Sequence, residues 1–189
     1  MPMRLFRGKL VLIGDAAVGK SAICQTFATD GSEFPKNYNM TLGAEVYQKQ
    51  IQISGTEDLV ELLIYDSPSF EMYIELLDSF WRSPHLLMVV YDVTNKKSLE
   101  AVSDWVSTAR QVQWQGPNNG PIASVLFANK DDLEQRRQCG ENEGLEMAEQ
   151  YLMKFFTGSA KNNQGLEDPF RYLANAFYQH SITEPPFYE

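Results

Sequence analysis

Short apolar runs alternate along this chain with longer segments of helical periodicity. Four of the runs are rich in Val, Ile, Leu or Tyr and are too short for helices, which is typical of strands buried on both faces of a parallel sheet. They are Lys9–Ile13, Leu59–Tyr65, Leu86–Tyr91 and Ile122–Ala128. A fifth run, Val46–Ile53, has polar residues between its apolar ones and predicts an edge strand that forms a hairpin with the second run.

The segments between these runs have the spacing of amphipathic helices. We predict helices over Lys20–Thr29, Met72–Trp81, Ser98–Gln113, Asn142–Leu152 and Glu167–Gln179, with Ser98 as an N-cap and a short last strand at Lys154–Phe156. Strands that alternate with helices indicate crossover connections and an α/β, doubly wound sheet. In such sheets ligands bind beyond the carboxyl ends of the strands.

Composition narrows the class of protein. The 189 residues carry 16 Lys and Arg against 25 Asp and Glu, a formal charge of −9. The acidic balance argues against nucleic-acid binding and against docking on an anionic membrane. Two cysteines are too few for a disulfide framework, which favours a reducing, cytoplasmic location. The end of the chain has no cysteine to prenylate, so we expect no lipid anchor.

The first strand leads into a glycine-rich phosphate-binding motif. Gly14–Ser21 fits G-x-x-x-x-G-K-[ST] at every fixed position, between a strand and a helix. Backbone N–H groups there would surround the phosphates, Lys20 would reach the outer ones, and the Ser21 hydroxyl would bind Mg²⁺. The alternative is a chance glycine-rich turn. The predicted nucleotide-binding residues are Gly14, Asp15, Ala16, Ala17, Val18, Gly19, Lys20, Ser21 and Ala22.

A second motif follows the run Ile122–Ala128. Asn129-Lys130-Asp131-Asp132 fits N-K-x-D, and here the chain resembles the Ras superfamily of small GTPases. The resemblance implies the P-loop fold: a six-stranded, mostly parallel sheet with one antiparallel edge hairpin and helices on both faces. It also implies that Asp132 recognises guanine, Asn129 braces the loop and the Lys130 stem lies along the base. A solvated polar turn is the alternative.

The same resemblance assigns further ligands for GTP or GDP and Mg²⁺. Ser159-Ala160-Lys161 matches the S-A-K loop, in which the Ala160 amide would meet the guanine carbonyl. Phe34 would pack against the base, with a core aromatic as the alternative. Thr41 matches the switch threonine that binds Mg²⁺, with an ordinary loop threonine as the alternative. Tyr38 and Ser69 complete the expected nucleotide contacts.

The segment that follows the run Leu59–Tyr65 departs from the superfamily pattern. Asp66 matches the aspartate that holds Mg²⁺, but Ser69 replaces the usual glycine and Phe70 the usual catalytic glutamine. Pro68 stiffens the same loop. A phenyl ring cannot orient the attacking water, so we predict very slow or no intrinsic GTP hydrolysis. Whether the chain is an enzyme therefore stays open, and no catalytic residue is assigned.

Within the superfamily the chain looks most like the Rab-like GTPase subunits of the intraflagellar transport machinery. That resemblance implies a place in the cilium or flagellum and a protein partner, the β-sandwich subunit of the same complex. The small GTPase domain would span residues 8–180, between an N-terminal extension, residues 1–7, and a short tail, residues 181–189, without a lipidation site. The alternatives are a conventional cycling Rab-type GTPase of vesicle traffic and a nucleotide-free interaction module.

Two apolar segments are candidate partner surfaces. A possible effector surface lies in the segment after Pro68, and its members are Phe70, Met72, Tyr73, Phe80 and Trp81. The last predicted helix offers a second candidate through Phe170, Phe177 and Tyr178. Burial in the core is the alternative for both. His85 and His180 are interpreted as structural histidines.

Overall fold

A six-stranded sheet forms the centre of the molecule. The structure is a computed structural model, and it describes residues 3–35, 45–68, 84–111 and 122–183. The strands lie in the order β2-β3-β1-β4-β5-β6. Their bounds are β1 Leu5–Ile13, β2 Glu45–Gln52, β3 Leu59–Asp66, β4 Leu86–Asp92, β5 Ala123–Asn129 and β6 Lys154–Thr157.

All neighbouring strands pair in parallel except β2 and β3, which form the antiparallel edge hairpin. Every residue of β4 is buried, as expected for a central strand covered on both faces. In β2, exposed residues alternate with partly covered ones from Val46 to Gln52, as expected at an edge. The predicted sheet and hairpin are confirmed.

Five described helices cover the two faces of the sheet. They are α1 Lys20–Ala28, α2 Lys96–Glu100, α3 Val102–Gln111, α4 Glu141–Gln150 and α5 Glu167–Thr183, with a 3₁₀ segment at Asp131–Arg136. One core cluster joins alternate strand residues such as Leu10 and Leu12 to α1 and α5. The other joins Val11 and Ile13 to α2, α3 and α4.

The helix predicted over Ser98–Gln113 is two helices, and Ser98 is not its N-cap. The first begins at Lys96 with Asn95 as N-cap, and a turn at Ala101 separates it from α3. The Ser98 hydroxyl is buried, and its hydrogen-bonding capacity is satisfied, since it accepts from Asp92 N at 3.0 Å and donates to the Asn95 carbonyl at 2.7 Å. This side chain ties the helix to the end of β4.

Phe170, Phe177 and Tyr178 of α5 pack in or against the core, so the proposal of a partner surface on these three residues is wrong. Phe170 is fully buried and stacks on Phe27 with ring centroids 3.7 Å apart. Tyr178 is buried, and its hydroxyl donates to Asp58 Oδ2 at 2.8 Å. Phe177 is partly buried against the same core cluster.

Two predicted boundaries differ by four residues from those of the structure. β1 begins at Leu5, four residues before the predicted start, and α5 ends at Thr183, so both elements extend beyond residues 8–180. The segment predicted as helix Met72–Trp81 lies outside the described residues. Within the described ranges, no helix combines the length and apolar character needed to cross a bilayer.

Candidate functional site

The phosphate loop lies between β1 and α1, and its glycines are required by close contacts. Gly14 has φ +140°, and a Cβ there would lie 2.2 Å from the Val90 carbonyl oxygen. Gly19 has φ +100°, and its Cβ would lie 2.4 Å from Asn129 Nδ2. Only glycine fits both the conformation and the space. The loop is therefore packed directly against the carboxyl ends of β4 and β5.

Lys20 is buried at the base of the loop. Its Nζ donates to the carbonyl oxygens of Gly14 at 2.7 Å and Asp15 at 3.0 Å. Burial lowers the pKa of Lys20 to about 8, while the carboxylates of Asp66 and Asp15 act in the opposite direction. A buried ammonium with a depressed pKa favours the approach of an anion, because a nearby negative charge stabilises its charged form.

Ser21 and Asp66 meet at the start of α1. The Ser21 hydroxyl donates to Asp66 Oδ2 at 2.5 Å, and Asp66 is fully buried at the end of β3. The structure thus brings together two of the three residues predicted to hold Mg²⁺. The third, Thr41, lies outside the described residues.

Asn129 connects the phosphate loop to the predicted base loops. Its Nδ2 donates to the Val18 carbonyl at 2.8 Å, and its Oδ1 accepts from the Ala160 N–H at 3.2 Å. The Ala160 N–H, which by the family resemblance would meet the guanine carbonyl, donates instead to Asn129 in this structure. A guanine carbonyl at that position would have to share this N–H.

Lys130 spans the site above the phosphate loop. It adopts the left-handed conformation with φ 68°, and its Nζ donates to the Ala17 carbonyl at 2.8 Å. The same Nζ pairs with Asp92 Oδ2 at 2.6 Å, and Asp92 Oδ1 accepts from the N–H and hydroxyl of Thr94. Asp92 is a site residue that motif reasoning missed, although its position at the carboxyl end of β4 is a usable signal.

Asp132 is held by the loop after β6. Its Oδ1 accepts a hydrogen bond from the Ser159 hydroxyl at 2.6 Å, and its Oδ2 lies 4.0 Å from Lys161 Nζ. The Asn162 N–H donates to Ser159 Oγ at 3.1 Å, which fixes that hydroxyl in turn. Two loops that α4 and β6 separate along the chain thus form one base-side wall.

The remaining predicted ligands fall into two groups. Phe34 is 42% exposed on the loop after α1, so the alternative of a core aromatic is wrong. Tyr38 and Ser69 lie outside the described residues. The same holds for the possible effector surface at Phe70, Met72, Tyr73, Phe80 and Trp81.

Comparison with known proteins agrees with this geometry. A model of the Ras family matches residues 9–179. The chain belongs to the Ras family. Membership of this family implies guanine-nucleotide binding, and the P-loop fold predicted from the sequence is confirmed.

Several relatives resemble this Ras-family chain over nearly its whole length. The human intraflagellar transport protein 27 homolog is 40% identical over 171 residues, which cover 90% of each chain. Intraflagellar transport protein 27 of Chlamydomonas reinhardtii is 32% identical over 176 residues, 92% of this chain and 85% of the relative. The Ras-related protein RabC of Dictyostelium discoideum is 35% identical over 165 residues, 87% and 81% of the two chains.

Proposed function

We propose that this chain is a guanine-nucleotide-binding, Rab-like subunit of a ciliary or flagellar intraflagellar transport complex. Binding of GTP and GDP is supported by one observation above all: Asn129 joins the phosphate loop to the loop that faces Asp132. The residues proposed to bind the phosphates and the base therefore lie at one edge of one sheet. The transport role is supported by the similarity to intraflagellar transport protein 27 from several organisms.

Mg²⁺ would be held by Ser21 and Asp66, with Thr41 as a further ligand. The hydroxyl and carboxylate oxygens of the first two residues are hard ligands of the kind Mg²⁺ prefers, and they already adjoin each other. The bound ion would neutralise charge on the outer phosphates. A preparation treated with EDTA should therefore release nucleotide faster than one kept in Mg²⁺.

Hydrolysis would be very slow or absent. Phe70 offers no hydrogen-bonding group to orient water, and Ser69 restricts the loop where the superfamily has glycine. Single-turnover hydrolysis of bound GTP tests this account. We expect Phe70→Gln to raise the rate; no gain would make Ser69 or Pro68 limiting, and wild-type hydrolysis as fast as that of glutamine-bearing relatives would refute it.

Base recognition by Asp132 can be tested with one pair of variants. Asp132→Asn should shift the preference from guanine toward xanthine nucleotides, because the amide can donate to the xanthine carbonyl. Asp131→Asn is the matched control, since the neighbouring carboxylate pairs with Arg137 instead. The assay is competition against fluorescent GDP in Mg²⁺. Failure of the wild-type chain to bind at high micromolar nucleotide would exclude the proposed function.

The partner proposed from the resemblance is the β-sandwich subunit of the transport complex. Co-expression with that subunit, followed by size-exclusion chromatography, tests the assignment. A stable complex in the presence and absence of added GTP would support a constitutive subunit. Separate elution at micromolar concentration in both conditions would contradict it.

A conventional cycling Rab-type GTPase is the second candidate, because the chain is also 35% identical to RabC and 31% identical to Rab-10 of Diplobatis ommata. The two proposals differ in turnover. A cycling enzyme should hydrolyse GTP faster when an activating protein is added, whereas the proposed subunit should not respond.

A further inference from the structure

Trp105 connects the helix layer to the phosphate loop. It lies on α3 and packs its half-buried ring against the core cluster on that face of the sheet. Its indole Nε1–H donates a hydrogen bond to Asp15 Oδ1 at 2.7 Å, although the two residues are 90 positions apart in the chain. Asp15 follows the first glycine of the phosphate motif.

Asp15 presents two different groups to its surroundings. Its carbonyl oxygen accepts a hydrogen bond from Lys20 Nζ at 3.0 Å, so the backbone of Asp15 faces the interior of the loop. Its carboxylate, in contrast, accepts the hydrogen bond from the Trp105 indole. The negative charge of that carboxylate nevertheless acts on Lys20, since it raises the pKa of Lys20 against the larger, opposite effect of burial.

The orientation of this carboxylate matters because Lys20 is the buried cation that would meet a phosphate. If the Asp15 carboxylate were released from Trp105, the Lys20 ammonium would attract it. An ion pair between the two side chains would then compete with an incoming phosphate. The released carboxylate would also place a negative charge beside the negative charges of the ligand. An N–H donor that holds the carboxylate toward the helix prevents the pairing with Lys20 and weakens the repulsion of the ligand.

We propose that Trp105 is a positioning residue for nucleotide binding: its indole N–H holds the Asp15 carboxylate against α3 and so keeps Lys20 available to the phosphates of the nucleotide. The inference rests on the proposed function and adds to it a residue that lies outside the P-loop and base motifs. A charge-assisted hydrogen bond in a half-buried place is strong enough to fix such an orientation.

A double-mutant cycle tests the proposal in the full chain. Trp105→Phe keeps an aromatic ring in the core and removes the donor, whereas Asp15→Asn removes the charge. Affinity for fluorescent GDP and for a fluorescent GTP analogue is measured with Mg²⁺ for the wild type, both single variants and the double variant. We expect Trp105→Phe to weaken binding about tenfold, or about 1.4 kcal/mol, when Asp15 is present. In a chain that already carries Asp15→Asn, the same change should weaken binding less than about twofold, because no carboxylate is left to release.

A purely structural role of Trp105 gives a different result. Loss of packing weakens binding by the same factor with and without Asp15→Asn, and that outcome overturns the proposal, as does an unchanged affinity of Trp105→Phe. Tyr151→Phe is the control, because Tyr151 packs against the same core cluster and also loses one polar group. It should bind nucleotide like the wild type.

A second measurement keeps the proposal testable if Trp105→Phe does not fold. The ¹⁵N–¹H resonance of the Trp105 indole should move when Asp15→Asn neutralises its acceptor, with nucleotide present or absent. An unchanged resonance overturns the proposal. A wild-type chain that binds no guanine nucleotide overturns the proposed function and this inference together, whereas an additive cycle in a chain that binds overturns only the inference.

Discussion

Replacement of Asn129 by alanine removes the side chain that joins the two halves of the candidate site. Asn129 is 2% exposed, and it serves the Val18 carbonyl through Nδ2 and the Ala160 N–H through Oδ1. Alanine keeps the backbone of β5 and the register with β4, so the change is confined to these two contacts. The Val18 carbonyl and the Ala160 N–H would then be buried without their hydrogen-bond partner.

The size of the effect follows from these two contacts. A buried hydrogen-bonding group that loses its partner costs about 1–3 kcal/mol, and two such groups give about 2–4 kcal/mol when their losses partly overlap. That is a large share of the roughly 5–15 kcal/mol by which a domain is stable. For a chain of this length the melting temperature should fall by roughly 4–16 °C.

The assay is denaturant unfolding of Asn129→Ala without nucleotide, followed by titration with fluorescent GDP. Asn162→Ala is the matched control, because its amide is exposed on the same base-side loop. We expect the control to match the wild type within about 0.5 kcal/mol, and Asn129→Ala to lose both stability and affinity. A loss of stability below about 1 kcal/mol with unchanged affinity would refute the bracing role.

Three further predictions follow from the same structure. Gly14→Ala should prevent folding or abolish nucleotide binding, because its Cβ would meet the Val90 carbonyl at 2.2 Å, whereas Gly55→Ala, also at positive φ but in open space, should cost only about 1–2 kcal/mol in urea unfolding. Phe170→Ala should cost about 3–5 kcal/mol through the cavity beside Phe27, and a loss no larger than that of Phe177→Ala would contradict the core assignment. The hydrogen bond from Arg4 lowers the pKa of Asp58 to about 2, so stability from this pair is present above about pH 4 and is lost as the pH falls toward 2. In the wild type and in the exposed control Glu57→Gln, the urea midpoint should decrease between about pH 4 and pH 2.5. In Asp58→Asn this decrease should be smaller, because the Arg4–Asp58 pair is absent. An equal decrease in all three chains would show that the pair does not act in this range.

The centre of the sheet could be predicted from the sequence because its strands are covered on both faces. Leu86–Asp92 is entirely buried, so its apolar run matches the strand almost residue for residue. The predicted β1 is too short because its first residues are not fully buried. Leu5 and Arg7 are exposed there, so the run of buried apolar residues that marks the strand in the sequence begins later. The break at Ala101 could not be predicted, since helical spacing continues through it and only the buried hydroxyl of Ser98 reveals the tie to β4.

The phosphate and base motifs could likewise be found because their residues are consecutive, whereas Asp92 and Trp105 act through contacts between distant segments.

The ion pairs of the candidate site resolve an apparent conflict between a net charge of −9 and a polyanionic ligand. Lys130 is paired with Asp92 at 2.6 Å, and Lys161 lies 4.0 Å from Asp132, so two of the site's cations are offset by carboxylates of the same site. Attraction for phosphates then depends on backbone N–H groups at the start of α1 and on one buried lysine. Such a site needs no positive surface, because its donors are local and oriented. The orientation of the Asp15 carboxylate beside Lys20 is therefore expected to change affinity more than any change in net charge far from the loop.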